Sequence, residues 1–168
     1  KSTLLGAVSR ASPKAAPYPF TTLHPHLGVA IADDAAIVFA DLPGLIEDAH
    51  AGAGLGTRFL GHVERCPVLV HLVDGTTDDV AQSYATVRRE LEAYGAGLAD
   101  KPEIVVLNKC DALSKDDNAD RQAALAGAAG ARVLALSGLT GLGVDELIGA
   151  VRRALERCPA SAVEWALP

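Results

Sequence analysis

The sequence predicts an α/β domain with a mostly parallel sheet, helices on both faces and one antiparallel hairpin. Three observations predict it. Short apolar runs alternate with stretches whose apolar residues recur at helical spacing. Most of those runs are apolar throughout rather than alternating, as in strands covered on both sides. Only four residues, Ala32 to Ala35, separate the first two runs, which is hairpin length and too short for a crossover helix.

The strands are expected at LGVAI (27–31), AIVFA (36–40), VLVHLV (68–73), IVVL (104–107) and VLAL (133–136). Between them, Val80, Tyr84, Val87, Leu91 and Tyr94 mark one helix that stops near Gly95 and Gly97. The Ala-rich DNADRQAALAGAAGA reads as a second helix and its exit loop. A third helix carries Val144, Leu147, Ile148, Val151 and Leu155. Asp145 and Glu146 in its first turn and Arg152, Arg153 and Arg157 near its end match the helix dipole, and Pro159 closes it. The opening KSTLL looks like the inside of an element. Residues 1–158 form one domain, followed by a tail at 159–168.

Bulk properties narrow the function classes. A chain of 168 residues, 49% apolar and 4% aromatic, can build one full core of Ala, Val, Leu and Ile. The net charge of −6 argues against gripping DNA by a broad basic face. No apolar run approaches ~18 residues, so no membrane span or membrane partner is expected. Cys66, Cys110 and Cys158 share no metal-ligand spacing and read as free thiols of a reducing cytosol, which makes the expected location cytoplasmic.

In sheets of this kind ligands bind at the carboxyl ends of the strands. Asp41, Asp74, Asn108 and Ser137 each follow an apolar run. NKCD, Asn108 to Asp111, comes directly after one. Its Asp carboxylate can accept two N–H bonds from guanine N1 and the exocyclic amine, a donor pair that adenine lacks. The Lys109 stem can lie across the base or ribose. The alternative is a polar turn with an Asx cap. In DLPG, Asp41 can hold Mg²⁺ through water and Gly44 can offer its N–H to a terminal phosphate. Taken alone, that stretch is equally an ordinary Pro-Gly turn. Lys1-Ser2-Thr3 matches the end of the phosphate loop G-x-x-x-x-G-K-[ST], with lysine on the β/γ phosphates and serine on Mg²⁺. In PYPFTTLHP, Thr21 or Thr22 could complete a Mg²⁺ shell while a γ-phosphate is present. Backbone N–H groups of Leu136–Gly138 can bond guanine O6. Each motif alone is weak, but all of them occur in one order, each at a strand or helix end.

The chain resembles the Obg family of ribosome-associated GTPases. YPFTTLHPHLGV and DLPGLIEDAHAGAGLG are similar to that family's switch regions, and CPVLVHLVD and NKCD fit as well. The resemblance covers about residues 1–158. It implies a Ras-like P-loop NTPase fold whose first central strand, with most of the phosphate loop, precedes Lys1. It implies GTP or GDP as ligand, Mg²⁺ as cofactor and the large ribosomal subunit as partner, reached through a glycine-rich domain ahead of this one. It assigns Lys1, Ser2 and Thr3 to the phosphates, with Ser2, Thr22 and Asp41 around Mg²⁺. Thr22 is preferred to Thr21 for the second ligand position, and Gly44 senses the γ-phosphate. Asn108, Lys109 and Asp111 read guanine, supported by Ser137 and Gly138. Lys1, Thr22 and Gly44 are the candidates for catalysis.

Leu45 stands where many GTPases place a water-orienting glutamine, which implies slow intrinsic hydrolysis. A guanine-nucleotide sensor or interaction domain with little or no hydrolysis is the alternative reading. His50, in the same loop, is a weak candidate base, and His71, inside a strand, reads as a satisfied core histidine. Two departures stand out: Asp48 replaces a small residue, and Ser137-Gly138 replaces Ser-Ala. On the resemblance, the first strand lies between the strands ending at Asp41 and Asp74. Without it two apolar inner edges lack partners, so the 168-residue chain alone is expected to bind GTP weakly and to aggregate or oligomerise.

Overall fold

The computed structural model describes residues 1–11, 27–32, 35–41, 66–95 and 97–158. Helix α1 (Ser2–Ala11) leads into an antiparallel pair, β1 (Leu27–Ala32) and β2 (Ala35–Ala40). Then follow β3 (Leu69–Asp74), α2 (Val80–Tyr94), β4 (Glu103–Asn108), α3 (Lys115–Ala129), β5 (Val133–Ala135) and α4 (Val144–Leu155). Strands β3, β4 and β5 pair in parallel, in that order. The predicted α/β class with one antiparallel hairpin is therefore observed. The hairpin link is shorter than the spacing suggested: Ala32 and Ala35 pair with each other, so the ladder runs one residue further on each strand than the apolar runs. Asp74 and Asn108 likewise close their strands rather than follow them.

Helix ends follow from local chemistry. Asp79 Oδ1 accepts from the Gln82 N–H at 2.8 Å and starts α2. Ser114 Oγ accepts from the Asp117 N–H at 3.1 Å and starts α3, where Asp116 and Asp117 sit in the favourable first turn. Arg132 reaches Glu146 at 2.7 Å, and Arg152 pairs with Glu156 one turn on.

Two apolar layers cover the parallel sheet, and alternate residues of β4 feed them. Val106 packs with Leu4, Val8, Leu136, Leu147 and Ile148 from the side of α1 and α4. Val105 and Leu107 pack with Val73, Tyr84 and Leu125 from the side of α2 and α3. The period-2 alternation of a strand thus splits one apolar run between two cores.

The hairpin and the parallel sheet are separate. Residues of β2 (Val38, Phe39) and β3 (Val70, Leu72) line a cavity of about 220 Å³ between them, with Lys1 and Asp41 also on its wall. At the amino end of β4, on the wall of the same cavity, Glu103 collects three donors. His71 Nδ1 lies at 2.8 Å, the Tyr84 hydroxyl at 3.1 Å and Arg88 at 3.5 Å. His71 also stacks on Tyr84 with ring centroids 4.8 Å apart, as a satisfied core histidine. Burial works to raise the Glu103 carboxyl, but these three partners outweigh it and hold it below the usual carboxylate range.

Candidate functional site

The candidate residues that the structure describes gather at the carboxyl ends of the strands. Lys1 precedes α1, and Ser2 and Thr3 open it. Four N–H groups at the start of a helix have no intrahelical partner and carry its positive dipole end, so this terminus suits an anion. Asp41 follows β2, and its Oδ1 lies 3.5 Å from Lys1 Nζ. That oxygen is buried and accepts no hydrogen bond among the described residues. It faces the Lys1 ammonium with no hydrogen bond from the described residues, an arrangement that suits a hydrated cation beside it. Among the described residues no group of three or more His, Cys, Asp or Glu could hold a metal. Thr21, Thr22, Gly44, Leu45 and His50 lie outside the described residues.

The second half of the site is built by three loops in contact. Asn108 closes β4, and its Oδ1 accepts from the Gly138 N–H at 3.1 Å. The Asn108 side chain is thus a strut between the β4 and β5 loops. Lys109 adopts a left-handed backbone, φ 65°, the only non-glycine residue to do so among those described. This costs about 1–2 kcal/mol for an L-residue, so surrounding contacts must hold the turn. They do: Cys110 N–H donates to Leu136 O at 3.2 Å and Ala112 N–H to Lys109 O at 3.0 Å. Asp111 is exposed on that turn. Burial first, and the adjacent Asp111 charge second, push the Cys110 thiol up, so it packs as a neutral side chain. Ser137 is fully buried, and its Oγ accepts from the Thr140 N–H at 3.0 Å.

Gly138 and Gly75 both sit at close approaches within this site. A Cβ on Gly138 would lie 3.0 Å from Leu4 N and 3.1 Å from Leu4 Cα. The β5 loop therefore rests on the start of α1, which joins the Lys1 half of the site to the Asn108 half. The Ser-Gly pair that departs from Ser-Ala sits at this contact. A Cβ on Gly75 would lie 2.8 Å from Asn108 O, the atom that accepts the Gly75 N–H at 2.8 Å.

Two residues of this assembly carried no assigned role in the sequence reading. Asp74, noted only as the end of an apolar run, accepts from Lys109 Nζ at 2.6 Å. Arg121 donates to Gly75 O at 2.8 Å and also to Thr77 O, clamping the loop after β3 from α3. No local pattern marks Arg121, because its partners lie 44 and 46 residues away. Burial acts to raise the Asp74 carboxyl, but bonds from Lys109 and Thr76 prevail and hold it below its ordinary range.

Comparison with known proteins places this arrangement. A family described as 50S ribosome-binding GTPase matches residues 1–109. Translation elongation factor SelB from Methanococcus maripaludis, bound to the GTP analogue GPPNHP, superposes with a TM-score of 0.60 at 16% identity. The match covers 95% of this chain and 32% of that one, so the chain spans about a third of SelB. The G domain of FeoB from Methanococcus jannaschii superposes with a TM-score of 0.56 at 21% identity, covering 92% of this chain and 89% of that one. Likeness at these identities concerns the fold. Among the described residues no helix is long and apolar enough to cross a membrane.

Proposed function

The chain belongs to the 50S ribosome-binding GTPase family, and from that premise we propose that it is the nucleotide-switch domain of an Obg-type protein. In this reading residues 1–158 form a G domain that hydrolyses GTP slowly with Mg²⁺ and reports its nucleotide state to the large ribosomal subunit during assembly, in the cytoplasm. The observation that carries it is the meeting of Lys1 and Asp41 at a helix start, where Asp41 Oδ1 accepts no hydrogen bond among the described residues. That helix start rests, through Gly138, on the Asn108 loop.

The residues divide the work as follows. Lys1 and the N–H groups of Ser2 and Thr3 balance the β/γ phosphate charge. Ser2, Asp41 and Thr22 (or Thr21) would hold Mg²⁺, which neutralises charge on the phosphates when bound. Gly44 brings backbone N–H to the γ-phosphate. Asp111 accepts two hydrogen bonds from guanine, and the Lys109 stem covers the base. Asn108, Ser137 and Gly138 hold that loop in place. Leu45 can neither donate nor accept, so the attacking water is positioned poorly and the rate is slow. The same leucine favours a second reading, a guanine-nucleotide sensor whose hydrolysis hardly matters.

Replacing Asp111 with Asn should move preference from guanine to xanthine nucleotides. An unchanged preference for GTP would refute the base-reading assignment. Single-turnover hydrolysis with and without large ribosomal subunits separates switch from sensor: stimulation supports the switch, and an unchanged negligible rate supports the sensor. Monomeric behaviour of the 168-residue chain with micromolar GDP binding would contradict the expectation that it binds weakly alone.

A further inference from the structure

Asp74 closes β3 as Asn108 closes β4, and the register sets the two side by side. The two oxygens of Asp74 do different things. Oδ1 accepts from the Thr76 N–H at 2.9 Å and from the Thr76 hydroxyl at 2.7 Å. Those bonds fix the carboxylate plane. Oδ2 is then aimed at Lys109 Nζ, 2.6 Å away. The loop carrying Asp74 is fixed in turn by the Gly75 N–H on Asn108 O and by Arg121 from α3. Lys109 thus spans two strand ends, with its backbone held at one and its ammonium at the other.

We propose that Asp74 is a positioning residue for the guanine base: it anchors the Lys109 ammonium so that the lysine stem is held as a preformed platform before nucleotide arrives. The proposal rests on the reading that Lys109 lies across the base. A free lysine loses rotamer freedom when a ligand immobilises it, and anchoring removes part of that cost beforehand. The pair is partly exposed, with side chains 54% and 36% accessible, so its strength is that of a surface ion pair. The expected effect on affinity is therefore about two- to fivefold.

The test is a double-mutant cycle on the full-length protein, read by calorimetric titration with GDP and by GTPase kinetics. The variants are Asp74→Asn, Lys109→Met and the pair. Asparagine keeps an acceptor for Thr76, methionine keeps the apolar stem, and both sites are open enough to accept the change. Asp74→Asn should weaken GDP binding about two- to fivefold and raise KM with kcat unchanged. It should do nothing further in the Lys109→Met background. A full effect in that background, or no effect alone, overturns the proposal. Asp111→Asn measured alongside keeps the two claims apart: unchanged guanine preference there defeats the base-reading assignment itself, whatever Asp74 does.

Discussion

Gly75→Ala is the sharpest test of how the fold builds the base-reading loop. The substitution adds one methyl group at the turn after β3. That methyl would sit 2.8 Å from Asn108 O, 3.1 Å from Leu113 Cδ1 and 3.4 Å from Leu107 Cγ. The first contact is with backbone and cannot be relieved by a rotamer change. The clashing oxygen also accepts the Gly75 N–H at 2.8 Å, so the methyl and the hydrogen bond compete for one place. Forcing a methylene-sized group into a packed site costs about 1–3 kcal/mol. For a domain of this size that lowers the melting midpoint by about 2–12 °C. The functional effect should be larger than the stability effect. Asn108 would be pushed from its partner strand end, and with it the turn that carries Asp111. Misaligning one hydrogen bond to a charged group costs about 1.5 kcal/mol or more, roughly a tenfold loss of GDP affinity. Urea unfolding and calorimetric GDP titration on the same preparations measure both. If the unfolding midpoint and the GDP affinity both stay at wild-type values, the loop contact does not hold the base site and the reasoning fails.

Three further predictions use other parts of the molecule. Glu103→Gln should lower stability by about 1–3 kcal/mol at pH 7, because it removes a charge that three donors address. The Glu103 carboxyl is held below its unfolded value of about 4.3, so its contribution is complete above that pH and fades as pH falls through the folded value. The urea-midpoint difference between wild type and Glu103→Gln should therefore shrink on acidification below about pH 4.5, and a difference that grew instead would reverse the sign of the argument. Asp41→Asn should change the stability of the nucleotide-free protein by less than about 1 kcal/mol, since the buried charge it removes is offset by loss of the partly exposed ion pair with Lys1 at 3.5 Å. The same variant should lose the added thermal stability that Mg²⁺ gives to the GDP complex, read by melting with and without the metal. Ser114→Ala should cost about 1 kcal/mol by deleting the cap of α3, measured by urea unfolding with unchanged slope.

Much of the fold was legible because hydrophobic period and helix caps are local signals. The helix at 80–94 was marked by five apolar residues and a glycine, and the helix at 144–155 by its stripe and charged ends. The hairpin was legible from spacing alone. Strand ends were less so: Asp74 and Asn108 belong to their ladders, because backbone pairing continues past the last apolar side chain. The gathering of Lys1, Asp41 and the Asn108–Asp111 turn at the strand ends was legible from residue type and order, and their roles are those proposed above. Thr21, Thr22 and Gly44 fall outside the described residues, and their roles stand as proposals.

The sequence by itself determined the element order, the layered α/β class and the set of polar residues at the strand ends. These follow from nearest-neighbour chemistry along the chain, which needs no partner from elsewhere. Only the tertiary structure decided how those residues support one another. It made Asn108 a strut to Gly138, set Gly138 against the start of α1, clamped the loop after β3 with Arg121, and gave Asp74 the Lys109 ammonium. The physical reason is distance in sequence. Parallel pairing brings the ends of β3 and β4 together across 34 residues, and contacts made across such a gap leave no periodic trace in the chain.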